Sequence, residues 1–177
     1  MTYNWQQKDW PNFRYQTGDI EDLLLDFAER SGRISGIIAA SSEKNQSDAI
    51  IHAMISEAIK SSEIEGEFLS RKDVASSIRK KLGIDPGGLE SKDKRVEGIA
   101  ELMTSVRLTN AEALSQETLF SWHRMLMKGR TDINTGQWRS HEAPMQIVSG
   151  ALGIEKISFE APPSGNVQKE MDRFIIW

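Results

Sequence analysis

Apolar residues recur three and four positions apart through most of this chain, and that spacing constrains its fold more than any other feature. Ile20, Leu23, Leu24, Phe27, Ile34, Ile37 and Ile38 place one apolar face on a first helix, expected to break or loosen at Ser31-Gly32. A second helix reads from about Ser47 to Ser62, with Ile50, Ile51, Met54, Ile55, Ala58 and Ile59 as its stripe and Gly66 as its stop. Ser70, with Asp73 three residues on, caps a third helix through Val74, Ile78 and Leu82, which Gly83 closes before the turn Asp85-Pro86-Gly87-Gly88. Val96, Ile99, Ala100, Met103 and Val106 make a fourth helix. Ser115 opens a fifth, carrying Leu119, Trp122, His123, Leu126 and Met127 and ending at Gly129.

The period changes after Gly129. Met145-Gln146-Ile147-Val148 and Ile154 to Phe159, joined by a Gly-containing loop, read as two strands of a hairpin. Val167, Met171, Phe174 and Ile175 then define an amphipathic helix that stops at Trp177 on its most apolar turn, with no cap and no polar tail. That bare end leads us to expect that the parent chain continues. Ahead of the first helix, Trp5, Trp10, Pro11, Phe13 and Tyr15 form an aromatic arm suited to packing over a helical body. The expected fold is mainly α, a helical bundle with one β-hairpin.

Composition removes several classes of function. The 177 residues contain no cysteine, which excludes disulfide scaffolds, thiolate zinc sites, iron–sulfur clusters and cysteine nucleophiles. No apolar run approaches the roughly 20 residues of a bilayer-spanning helix, and the N-terminus lacks a secretory pattern, so a cytoplasmic location is expected, with no membrane partner. With 22 Lys+Arg against 26 Asp+Glu, the net charge of −4 gives no general affinity for nucleic acid. Arg79-Lys80-Lys81 reads as a solvated helix end. The three histidines show neither His-x3-His nor Glu-x-x-His spacing, so no metal site is expected, and His52 and His123 read as structural. Nucleotide-binding glycine loops and serine-nucleophile signatures are absent.

One segment stands out: Ser61-Ser62-Glu63-Ile64-Glu65-Gly66-Glu67 places three carboxylates at a helix C-terminus, where the helix dipole disfavours them unless a cation meets them. Ser61-Ser62-Glu63-Ile64-Glu65-Gly66 resembles the inhibitory-helix motif of the Fic (Fido) family: a Ser or Thr, three residues, then Glu and Gly or Asn. The arm Trp5 to Tyr15 resembles the small N-terminal domain ahead of the Fic core in one bacterial subgroup. Gly136-Gln137-Trp138-Arg139, Met145 to Gly150 and Phe159-Glu160-Ala161-Pro162-Pro163 are similar to the flap region of that core. The chain departs from the family in lacking the signature loop His-Pro-Phe-x-Asp/Glu-Gly-Asn-Gly-Arg, which the family places after the helix that here reaches Trp177.

The resemblance implies two parts: residues 1–85, the arm and helices including the inhibitory helix, and residues 86–177, the first part of a truncated Fic core with its flap. It implies that the parent is a protein adenylyltransferase, moving AMP from ATP with Mg²⁺ onto a hydroxyl of a target protein or of itself. This fragment would then contain no catalytic residue and bind neither ATP nor Mg²⁺ tightly. Glu65, with Ser61 one turn before it, would act at the ATP pocket, pairing with an arginine that otherwise holds the γ-phosphate. Met145, Gln146, Ile147 and Val148 would offer a strand edge to the target, Ile147 supplying an edge donor. A homodimer is compatible with this reading. The alternatives are a non-catalytic protein-interaction module and an antitoxin-like inhibitor of a separate Fic enzyme.

Overall fold

A computed structural model describes residues 2–87, 91–150 and 154–177. The chain is mainly helical, with six α-helices and one two-stranded antiparallel hairpin among the described residues. It divides into two compact units, Leu23–Gly136 and the pair of segments Met1–Asp22 and Gln137–Trp177. No helix among the described residues is long and apolar enough to cross a membrane.

The unit Leu23–Gly136 holds α1 (Glu21–Ala39, entered from the other segment), α2 (Glu43–Ile64), α3 (Arg71–Lys81), α4 (Lys94–Thr109) and α5 (Gln116–Leu126). Its core is one cluster: Ile51, Met54, Ile55, Ala58 and Ile59 from α2, Val74 and Ile78 from α3, and Val96, Ile99 and Ala100 from α4. Helix α3 is short and carries eight charged or hydroxyl residues among eleven, yet its Val74 and Ile78 are fully buried. Each such aliphatic side chain contributes about 1.5–3 kcal/mol, which holds α3 between α2 and α4.

Side chains that satisfy free backbone N–H groups start these helices. The hydroxyls of Ser42, Ser70 and Ser115 accept from the N–H of Asn45, Asp73 and Thr118 at 3.3, 3.3 and 3.1 Å, and the Asp93 carboxylate accepts from Arg95 N–H at 2.9 Å. Helix α5 lies close on α4 because Gly98 has no side chain. A Cβ there would overlap the Met125 carbonyl oxygen and press on Lys128 Cβ at 3.0 Å. Glu101 of α4 accepts from Lys81 at the end of α3 (2.9 Å) and from Lys128 just beyond α5 (2.6 Å), tying three helices together.

The expected break in α1 does not occur. The helix runs unbroken through Ser31-Gly32, because one glycine costs a helix interior only about 1 kcal/mol and the flanking residues are good helix formers. None of α1 is buried.

In the other unit, the aromatic arm opens with a 3₁₀ turn at Asn4–Gln6 and is fastened to residues far along the chain. Trp5 donates its indole N–H to the Glu160 carbonyl at 2.7 Å, and Tyr3 meets the Phe159 ring edge-on at 5.4 Å. Trp10 donates to the Glu170 carboxylate at 2.9 Å, while Arg173 donates to the Trp10 carbonyl at 3.3 Å. The arm thus seats on the hairpin of β1 (Gln146–Ser149) and β2 (Lys156–Glu160), and on α6 (Ser164–Ile176). Arg139 donates to Ser164 Oγ at 2.9 Å and to the Pro162 carbonyl, fixing the start of α6.

Candidate functional site

The end of α2 is built by its backbone. Gly66 takes φ +80°, a conformation open to glycine, and its N–H donates to the Glu63 carbonyl at 3.0 Å while Glu67 N–H donates to the Ser62 carbonyl at 2.8 Å. These two bonds make a Schellman motif, which satisfies carbonyls that a helix end leaves free. Glu65 is the last residue before that turn, and its N–H still reaches the Ser61 carbonyl at 3.3 Å. The motif glycine therefore fixes where the Glu65 side chain leaves the helix.

The three acids of this end differ in their partners. Glu63 meets Lys60 at 2.6 Å, one turn back on α2. Glu67 meets Arg95 at 2.6 Å, at the start of α4. Glu65 is exposed, and its carboxylate has no hydrogen bond or ion pair among the described residues. Ser61 lies one turn before it and donates its hydroxyl to Glu57 at 3.0 Å, so the Ser61 hydroxyl belongs to the exposed rim of α2 and does not meet the Glu65 carboxylate. Glu63 and Glu67 are thus each met by a cation of the kind that the helix dipole calls for.

Arg95 also grips Asp93 in a double contact, at 2.7 and 3.1 Å. The Arg95 hydrogen bond is the largest influence on the Asp93 carboxyl and holds it below the usual carboxylate range, against a smaller opposing effect of burial. At Glu101, burial is the largest single influence and opposes ionisation, but the hydrogen bonds and charges of Lys128 and Lys81 together outweigh it and lower the pKa.

The hairpin places Gln146 opposite Glu160 and Ile147 opposite Phe159. A bulge then shifts the register, so that Val148 faces Ile157 and Ser149 faces Lys156. Met145 precedes β1, and its carbonyl accepts from Ala161 N–H at 2.9 Å. In an antiparallel pair, bonded and non-bonded positions alternate, so Ile147 faces inward to its partner strand while the backbone of Gln146 faces outward. Ile147 was the expected edge donor; the register gives that position to Gln146. The side chains of Met145, Ile147 and Val148 are exposed, and the Gln146 amide donates to the Glu160 carboxylate at 2.7 Å.

The histidines separate. His123 is structural as expected, its Nδ1 accepting from Gly136 N–H at 2.8 Å. His52 is not a core residue: it is exposed and lines a basic concavity of about 520 Å³ with Arg71, Lys72 and Arg79. Sequence reasoning missed this because His52 neighbours apolar positions without sharing their face of α2. The Arg79-Lys80-Lys81 run does end a helix, and Lys81 is spent on Glu101. Among the described residues no group of three or more His, Asp or Glu could hold a metal ion.

Residues 3–84 match a domain of unknown function, DUF4172. The match takes in the aromatic arm and α1 to α3, and with them Ser61 and Glu65. No curated protein matches the chain.

Proposed function

We propose that this chain is the regulatory and target-docking part of a cytoplasmic protein adenylyltransferase of the Fic type, whose catalytic loop lies outside these 177 residues. One observation carries the reading. Of the three carboxylates at the end of α2, the one that the inhibitory motif singles out, Glu65, is the one that meets no cation among the described residues, while Glu63 and Glu67 have theirs. An unpaired carboxylate held at a fixed helix end is suited to a guanidinium arriving from elsewhere, since charge-assisted pairs of this kind are strong and directional.

ATP with Mg²⁺ supplies the adenylyl group in this chemistry. Glu65 is itself an anion, so it suits the arginine that would otherwise hold the outer phosphate and does not suit the phosphate. Its role is to occupy that arginine and keep the nucleotide from its productive position. Ser61 contributes through Glu57 to the last turns of α2, and Gly66 fixes the exit of the chain. The outward backbone of Gln146 offers an edge to an extended target segment, whose hydroxyl is thereby positioned.

The test is Glu65→Gly in the full-length protein. Adenylylation, read as self-modification by mass shift, is expected to rise by about tenfold or more. Glu63→Gly and Glu67→Gly remove surface pairs and are expected to stay within about twofold. Unchanged modification in Glu65→Gly, with an unchanged melting temperature, would overturn the reading.

A further inference from the structure

Helix α1 is 19 residues long, strongly amphipathic in sequence and buried at none of them. No other helix of its unit packs on it among the described residues. Leu23, Phe27 and Ile37 are 66, 70 and 61% exposed, and Leu24 and Ile34 are more than half exposed. A contiguous apolar face of this size calls for a cover.

Two features of the helix indicate what covers it. Leu24, Phe27, Ser31 and Ile34 follow one another at intervals of three, four and three, a spacing that reads the same in both directions and keeps them on one face. The charges reverse along the helix: Glu21, Asp22, Asp26 and Glu29 all precede Arg30 and Arg33. We propose that α1 pairs antiparallel with α1 of a second copy of this chain, about a two-fold axis near residue 29. This inference is independent of the adenylyltransferase reading.

In that pairing Leu24 meets the partner's Ile34, and Phe27, the largest side chain of the stripe, falls on the partner's Ser31, the smallest. Leu23 and Ile37 lie on one flank and meet each other across the axis. Asp26 comes beside the partner's Arg33, and the acidic half of each helix lies along the basic half of the other. A parallel pair would stack acid on acid. An isologous contact needs self-complementarity of this kind, in size and in charge, and an unrelated partner does not. An anionic lipid surface is disfavoured because the charged residues of α1 are net acidic. Covering the five exposed apolar side chains in both copies removes roughly 1,200 Å² from water, the lower edge of a stable interface.

The experiment uses the 177-residue chain in sedimentation equilibrium, where a mass near twice 19.9 kDa is expected at micromolar concentration. Phe27→Glu is expected to weaken association by about thirtyfold or more. Because the chain has no cysteine, the register is read directly. Copies carrying Leu24→Cys mixed with copies carrying Ile34→Cys should cross-link on oxidation, and Leu24→Cys copies alone should not. A monomeric mass throughout, or cross-linking of Leu24→Cys with itself, would overturn the proposal, and the cross-linking decides it even if Phe27→Glu fails to fold.

Discussion

Glu65 and Glu67 stand on either side of Gly66, and among the described residues only Glu67 meets a cation, Arg95 at 2.6 Å. The left-handed turn between them sends two like charges in different directions. Gly66→Ala should therefore cost about 1 kcal/mol through backbone strain alone, since a Cβ there meets no neighbour within 4 Å. Gly66→Asn should cost less, because asparagine tolerates that conformation. Urea midpoints of the two variants check the order; equal midpoints would mean that the turn relaxes without penalty.

Proline scanning of the hairpin separates its two edges. Ile147→Pro should break the ladder to β2 and unfold the hairpin, whereas Gln146→Pro should keep the hairpin and remove an outward donor. Under the proposed function, Gln146→Pro in the full-length protein should lower modification of the target, with Gln146→Ala as the control for the lost contact to Glu160. Target modification equal in Gln146→Pro and Gln146→Ala would rule out strand addition at this edge.

Glu101 makes stability depend on acid. Its pKa is lowered in the folded chain, so its contribution is complete above the ordinary glutamate value of about 4.3 and is lost as the pH falls through the lowered one. A partly buried group with two lysine partners should contribute about 1 kcal/mol. Glu101→Gln should lower stability near neutral pH by that amount and flatten the loss below about pH 4. An unchanged slope in the variant would place the acid sensitivity elsewhere.

Gly98→Ala tests the approach of α5 to α4. Overpacking costs about 1–3 kcal/mol, against about 1 kcal/mol returned by alanine's better helix propensity. The melting temperature should fall despite that propensity. A rise would show that α5 moves aside freely.

The helices are legible in the sequence because their signals are local. Ser70 and Ser115 are caps to be read from neighbours three residues away, and the apolar stripes of α2, α3 and α4 supply every residue of the buried core, although Val106 of the α4 stripe is exposed. Helix α2 begins at Glu43, four residues before the start expected at Ser47, because Ser42 supplies the cap there. The site was legible only in part. Ser61, Glu65 and Gly66 are picked out by the motif, but that Arg95 meets Glu67, 28 residues away, is written in no local pattern. The same distance hides the Glu101 clamp and the seat of Trp5, since no periodicity records which remote groups meet. Strand alternation likewise gives two faces but not which backbone N–H points outward, which the bond from Ala161 to Met145 decides.

The attachment of the aromatic arm sets an order for assembly on the ribosome. Residues 23–136 form a contiguous unit that can bury its core as soon as they emerge. Trp5 and Trp10 are made first but have their partners at Glu160 and Glu170. At synthesis rates of about 5–20 residues per second, the arm waits on the order of ten seconds with its indoles uncovered. Over that interval Trp5 and Trp10, made long before the residues that shelter them, stay open to water.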